Sequence, residues 1–459
     1  WGWQDRIFFV GMGSGPVVRV GGSLMVTNGG EFRIYGGRDN AATAGWACVV
    51  AVTNNIIITT GATVQAWGHP TNGASVLIKA NRIRIEAGGT LSGTEGGFAG
   101  GKSATDGYGP GGGKTAGGGY SGGGGHGGRA GDSYTGMYGG NACFSAESPG
   151  PGSGGAGGSS AGGGGALLRI LVADTVIIDG TVVTDGSSGG QAGDAAWAGS
   201  SGFTAGAGAG GGILITCDTF RGSNGVVAAR GSDGPRLDYS GAGAGGRIAI
   251  VYNQANQAGV SPRPVVRFDV SPGLRGAVTA VDPAISELGT LWLPDRALLD
   301  PALMNHKAQL IVAGITNWAP DQMVVSNGWI RFPIDGFILA VTNDVIVRGT
   351  GAKLELGGNL ALTNWTWRGV HFPYSEMTNP PRLTCANLYL TNGGSLAMYG
   401  TWTNASNPTW GAMVDVQGRV VLATNSWILP HCQPTNGGAV RLKMTDLEIL
   451  TPNAGINAD

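Results

Sequence analysis

The sequence predicts an all-β protein: a right-handed parallel β-helix (a solenoid) with long glycine-rich loops stacked on one side. Three observations predict it. Short runs rich in Val, Ile and Thr recur between Gly or Asn; an opening, a glycine-rich excursion and a closing recur three times; and one long pattern starts twice at a fixed offset.

The short runs cover residues 49–52, 56–59, 75–78, 82–86, 176–178, 344–347 and 353–356. Most are four or five residues long and bounded by turn formers, which marks strands. Helical periodicity is nearly absent, and residues 294–312 are its one weak candidate. The dipeptide Thr-Asn begins at Thr27, Thr53, Thr71, Thr316, Thr342, Thr363, Thr378, Thr391, Thr403, Thr424 and Thr435. Asn tolerates the left-handed conformation and bonds its own backbone, so it suits a tight corner. Four of the gaps between successive sites are 21 or 26 residues, enough for one turn of a solenoid. A β-sandwich, turning sharply every 8–12 residues or so, is the weaker reading. Asparagines at equivalent corners would stack into a ladder.

The excursions open at IRIEAGGTLSGTEGG from Ile83, VIIDGTVVTDGSSGG from Val176 and GSNGVVAARGSDG from Gly222. They close at GGGGALLRI to Ile170, GAGGGILI to Ile215 and GAGGRIAI to Ile250. Three successive coils whose loops leave from one edge give this pattern. Composition alone argues for disorder. Matching openings and closings argue instead for an ordered layer, because only Gly lets stacked backbones approach closely.

Residues 253–300 lose Gly and acquire Pro262, Pro264, Pro272, Pro283 and Pro294, which reads as a connector. The long pattern spans it. Thr27-Asn28-Gly29-Gly30 returns as Thr391-Asn392-Gly393-Gly394, an offset of 391 − 27 = 364. Pro70-Thr71-Asn72-Gly73 returns as Pro434-Thr435-Asn436-Gly437 at the same offset. In that register Trp1, Trp3, Phe8, Tyr35, Trp46 and Lys79 meet Trp365, Trp367, Phe372, Tyr399, Trp410 and Lys443. The expected organisation is coils with glycine-rich excursions over 1–252, the connector over 253–300, completing coils over 301–364, and the start of a second copy over 365–459. Arrays of this kind build length more often than chemistry.

Composition excludes several classes. The 459 residues include 89 glycines, 42% are hydrophobic, only 12% are charged, and the net charge is −1. No electrostatic pull toward nucleic acid or an anionic membrane follows, and no apolar run reaches the length of a membrane helix. The absence of an initial Met and of a signal peptide fits a mature or partial chain. The five cysteines, Cys48, Cys143, Cys217, Cys385 and Cys432, lack metal-type spacing and read as small buried side chains.

No catalytic, cofactor or metal site is expected. His69, His126, His306, His371 and His431 are scattered, and at the offset His69 meets Gln433, His371 meets Ile7 and His431 meets Trp67. Asp174, Asp179, Asp185 and Asp194 are the densest carboxylates, the pattern a β-helix polysaccharide enzyme would need beside Arg or Lys. The stretches GGRAGD ending at Asp132 and GGQAGD ending at Asp194 resemble calcium turns only faintly. Both sets read as solvated turn carboxylates. Trp1, Trp3 and Trp46 recur with the module and read as packing residues. Trp197, Tyr108, Tyr120, Tyr134, Tyr138 and Tyr239 lie in the excursions and are candidates for contact between loops or with a sugar. Asn364-Trp365-Thr366 and Asn404-Ala405-Ser406 are glycosylation sequons.

The closings GGGGALLRI and GAGGRIAI, with the TNGG and PTNGG turns, resemble the glycine-rich repeats of very large bacterial surface proteins of the autotransporter and filamentous-adhesin type. The resemblance implies a parallel β-helix, usually right-handed, with an extracellular structural or adhesive role. It brings no catalytic residues. Right-handedness also follows from the preference of crossovers between parallel strands. The expected function is a fibre, stalk or surface adhesin of tandem modules, outside the cell or on its surface and bacterial. The partner is the chain itself, with surface polysaccharide second. The alternatives are a polysaccharide-binding or polysaccharide-degrading β-helix, and a phage-type adhesin with glycine-rich tip loops.

Overall fold

The computed structural model describes residues 16–38, 46–102, 105–116, 120–132, 139–157, 161–189, 205–234, 240–274, 286–300, 302–358, 363–367, 370–374, 377–402, 410–433 and 437–458. Its long sheets are of parallel strands, and its one helix among the described residues is Gln254–Ala258. No helix among them is long and apolar enough to cross a membrane. The chain forms two compact units, Trp1–Leu298 and Leu299–Asp459.

In the first unit three parallel ladders are visited in turn. The first ladder holds Val17–Val20, Trp46–Val52, Ser75–Ala80, Leu167–Val172, Gly212–Thr216, Arg247–Val251 and Thr290–Leu293. The second holds Leu24–Val26, Asn55–Ile58, Arg82–Ile85, Thr175–Ile178 and Thr219–Arg221. The third holds Glu31–Tyr35, Thr63–Trp67, Thr90–Ser92, Thr181–Val183, Val226–Ala228 and Arg267–Asp269. Each circuit of the chain adds one strand to a ladder, and each strand pairs with its counterpart a circuit away. Such pairing is compatible with a parallel β-solenoid and incompatible with an antiparallel sandwich. Among the described residues, antiparallel strands pair in two hairpins outside the ladders, Thr115–Ala116 with Tyr120–Ser121 and Thr363–Trp367 with Val370–Tyr374, and single antiparallel bridges join Thr105 to Gly157 and Gly157 to Ala205.

Alternation along each strand sends every second side chain inward, and register stacks these into aliphatic columns. Val50, Ile78, Ile170, Ile215 and Ile250 form one; Ile56, Ile83, Val176 and Phe220 form another. All are buried, and each contributes about 1.5–3 kcal/mol relative to exposure. The second ladder ends on the helix. Asn253 caps it by accepting from the Ala255 and Asn256 amides. The Gln257 side chain then accepts from Phe220 N at 2.7 Å and donates to Phe220 O at 3.0 Å. A side-chain amide thus replaces the next strand and closes that edge.

Every long excursion leaves after a third-ladder strand and returns before a first-ladder strand, at 93–166, 184–211, 229–246 and 270–289. Their described parts bond one another: Gly165 N to Ala209 O at 3.0 Å, Gly210 N to Ala244 O at 2.9 Å, Ala244 N to Gly124 O at 3.0 Å and Gly127 N to Gly245 O at 2.8 Å.

The second unit repeats the plan. One ladder holds Ala302–Met304, Met323–Ser326, Asp344–Arg348, Asn387–Thr391, Arg419–Leu422 and Asp446–Ile449. The next holds Lys307–Val312, Trp329–Phe332, Lys353–Leu356, Ser395–Tyr399, Trp427–His431 and Gly455–Ile456. The last holds Asn317–Trp318, Ile338–Ala340, Arg382–Cys385, Trp410–Val416 and Ala439–Lys443.

The offset of 364 relates geometry as well as sequence. Glu31–Tyr35, Trp46–Val52, Asn55–Ile58, Thr63–Trp67 and Arg82–Ile85 map, limit for limit, onto Ser395–Tyr399, Trp410–Val416, Arg419–Leu422, Trp427–His431 and Asp446–Ile449. The register break between Trp46 and Cys48 recurs between Trp410 and Ala412. Asn28 at φ 54° and Gly29 at φ 74° recur as Asn392 at φ 53° and Gly393 at φ 87°. Tyr35 stacks on Trp67 with centroids 4.7 Å apart, and Tyr399 stacks on His431 at 4.7 Å.

Three expectations change. Residues 294–312 are not helical, since Ala302–Met304 and Lys307–Val312 pair in parallel ladders. Residues 253–300, expected as a connector, contain Arg267–Asp269 and Thr290–Leu293, which extend the third and first ladders. The corner stack is mixed rather than asparagine alone: the backbone column runs Asn54, Asn81, Asp174, Asp218, Asn253, each amide donating to the carbonyl of the residue before it. Trp1, Trp3, Phe8, Asp194, Trp197, Tyr134, Tyr138, Tyr239 and Asn404 lie outside the described residues.

Candidate functional site

The carboxylates singled out from sequence face arginines and backbone amides. Asp174 meets Arg82 at 2.5 Å and accepts from Thr175 Oγ1 at 2.7 Å, and both contacts hold its carboxyl below the usual range. Asp179 accepts from Ser223 N at 2.9 Å and Oγ at 2.8 Å. Asp185 and Asp269 share Arg230, at 3.3 and 3.1 Å. Burial raises the Asp185 carboxyl, and Arg230 opposes that. Asp132 is bound by Arg129 through both oxygens, at 3.0 and 2.8 Å, which makes GGRAGD an internal ion pair. No group of three or more His, Cys, Asp or Glu able to hold a metal forms among the described residues.

Two buried polar groups hold the glycine excursions, one joining them to each other and one joining them to the first ladder. The His126 Nδ1–H donates to Gly210 O at 2.8 Å, and the ring meets Phe144 edge-on at 5.7 Å. Burial first, then Arg247, pushes its pKa down to about 3, so the ring is neutral at pH 7. Arg247 donates from Nε to Cys143 O at 2.9 Å and from Nη1 to Thr290 Oγ1 at 3.0 Å. Sequence reasoning missed Arg247. Its one signal is its place in GAGGRIAI, directly after the glycines that let the excursion cross the strand.

Cys48, Cys217 and Cys385 are buried free thiols whose pKa burial raises, while Cys143 is half-buried and Cys432 exposed. Tyr108 is exposed; Tyr120 lies in a described strand. His69 and His306 are half-buried on separate segments.

The second unit holds a buried ionic group. Arg331 and Glu355 are register neighbours, joined Nε to Oε2 at 2.6 Å. Lys353 Nζ lies 3.4 Å from Glu355 Oε1, and the Tyr399 hydroxyl donates to that oxygen at 3.3 Å. His431 stacks on Tyr399 with an 11° interplanar angle. Burial lowers its pKa to about 4.

The low pKa gives an expected result. A histidine whose folded pKa lies below its ordinary 6.5 binds fewer protons when folded. Stability is therefore lost as pH falls from 6.5 toward 4. Trp67 shows that Trp fits this stacking position on the equivalent tyrosine. His431→Trp will thus recover about 2 kcal/mol at pH 4 relative to pH 7. Urea midpoints at the two pH values check this, and an unchanged pH dependence refutes it.

No protein-family model matches the chain, and no curated protein or solved structure is detectably similar to it.

Proposed function

We propose that the chain is a structural protein: a right-handed parallel β-solenoid whose tandem modules join end to end as an extracellular fibre, stalk or surface adhesin. The observation that carries this reading is the strand-for-strand recurrence at 364 residues, including the register break and the stacked aromatic pair. A catalytic unit gains nothing from repeating its turns and bulges; a body that propagates parallel ladders depends on them. Right-handedness rests on the strong preference of parallel crossovers, and the bacterial cell-surface setting on the sequence resemblance alone. The partner is the same module, because an open parallel edge is a template for another.

Negative-stain imaging with fibre diffraction of native material tests the reading. Fibres with a constant axial repeat and a reflection near 4.8 Å along the axis are expected. Compact monodisperse particles lacking that reflection overturn it.

A further inference from the structure

Successive amides of the buried stretch 206–211 donate in rotation to three neighbours. Gly206 N and Ala209 N donate to Ala156 O and Ser153 O, at 2.7 and 3.0 Å. Ala207 N and Gly210 N donate to Gly241 O and Ala244 O, at 3.0 and 2.9 Å. Gly208 N and Gly211 N donate to Ser187 O and Thr184 O, at 2.9 and 2.6 Å. Each direction returns after three residues, and the acceptor on the neighbour also moves by three. A β-strand cannot do this, because its amides alternate between two sides and reach two neighbours. An extended chain with three residues per turn rotates each amide by a third of a circle and reaches three.

The same period governs other stretches. Gly152 N and Gly155 N donate to Gly165 O and Gly162 O, both at 2.9 Å, and Gly154 N and Gly157 N donate to Tyr108 O and Thr105 O, both at 3.0 Å. Gly241 N and Ala244 N donate to Ser121 O and Gly124 O, at 2.8 and 3.0 Å, and Gly243 N and Gly246 N donate to Ser232 O and Ala229 O, at 2.9 and 2.8 Å. Residues 206–211 and 241–246 are buried, yet both read GAGAGG and carry nothing larger than a methyl group. Contact on every side explains the glycine. A Cβ on Gly206, Gly208 or Gly210 would lie 2.1, 2.0 or 2.2 Å from Gly122 O, Gly163 O or Ala229 O, on three different neighbours. The α-hydrogen that stands there instead points at that carbonyl, the geometry of a Cα–H···O contact.

We infer that the excursions of the first unit form a second core, separate from the aliphatic columns: a bundle of extended helices with three residues per turn, held by backbone bonds in place of side chains. The bundle is a conformational device, a stiff arm that carries the excursions as one body. Single bridges Thr105–Gly157, Gly157–Ala205 and Ser121–Ser240 join three of the excursions where the returning stretches 205–211 and 240–246 begin. The arm lies within one unit, so it stands whether or not modules join into a fibre.

Hydrogen–deuterium exchange of the full chain, resolved to single amides, tests this. In wild type all six amides of 206–211 are expected to be protected. Protection of alternate amides alone, the mark of a pleated strand, overturns the three-residue turn. Gly208→Ala is expected to speed exchange about tenfold throughout 152–157, 206–211 and 241–246, the size of an overpacking cost, while Asn55–Ile58 and Ser75–Ala80 keep wild-type rates. An equal rise in those ladder strands, or a rise confined to the residues touching Gly208, overturns the separate core. Wild type in rising urea needs no substitution: the three stretches are expected to open at one midpoint and the ladder strands at another. A single midpoint shared by all of them overturns the inference.

Discussion

Gly246→Ala will destabilise the first unit by about 3 kcal/mol or more, while Gly22→Ala will leave it unchanged or slightly more stable. A Cβ on Gly246 would lie 2.1 Å from Gly211 O, 2.8 Å from Gly210 C and 2.9 Å from Ala229 Cβ. Nothing flexible stands among these atoms. The same crowding runs along the ladder: a Cβ on Gly211 would meet Ala166 O at 2.2 Å, and one on Gly289 would meet Gly246 O at 1.9 Å. Moving the backbone at Gly246 strains its bond to Ala229 O, the Arg247 N to Gly211 O bond and the Thr290 N to Gly246 O bond. Each is worth about 1 kcal/mol net, in addition to the overpacking. A Cβ on Gly22 meets nothing within 4 Å. Denaturant midpoints at constant slope decide the matter, and equal midpoints for the two variants would refute the close-packing argument.

The glycine composition was therefore readable as backbone contact, because matching openings and closings had already placed the excursions at one edge. Strand runs were readable where β-branched residues dominate: 353–356 is the strand Lys353–Leu356, and 176–178 lies within Thr175–Ile178. Residues 302–312 were misread because Ala, Leu and Met have high helix propensity. Pairing along the ladders overrides that preference, as tertiary context often does. Thr-Asn was a partial marker of the corners. Asn28, Asn392 and Asn425 adopt positive φ, but so do Asn305 and Asn327, which follow Met304 and Ser326. The corner selects a residue that tolerates the left-handed region, whatever precedes it.

The buried charges were not readable, for a different reason. Alternation along a strand says which side chains face inward, and Arg331 and Glu355 occupy outward positions between Ile330 and Phe332 and between Leu354 and Leu356. An outward position normally meets water. Here both side chains are nearly inaccessible; each packs on the other and Glu355 also on Tyr399, groups brought together by neighbouring circuits, which periodicity within one strand does not encode. Arg247 follows the same rule, with Cys143 O supplied from 104 residues away.

Glu355→Ala will cost the second unit about 3–5 kcal/mol, the penalty for leaving Arg331 buried without its carboxylate. Burial alone would raise the Glu355 pKa, but the charges of Arg331 and Lys353 outweigh it and bring it from the ordinary 4.5 down to about 2. A carboxylate with a depressed folded pKa contributes stability above its unfolded value. That contribution disappears as pH falls from about 4.5 toward 2. Wild type will therefore lose stability across this window more steeply than Glu355→Ala, and the two urea-midpoint curves will converge at the acid end. Replacing both partners, as R331M with E355L, removes the desolvation penalty along with the attraction and is expected to lie within about 1–2 kcal/mol of wild type. A single-variant cost below about 1 kcal/mol, or a double variant as weak as the single, would mean that water reaches this pair and that the outward face is open.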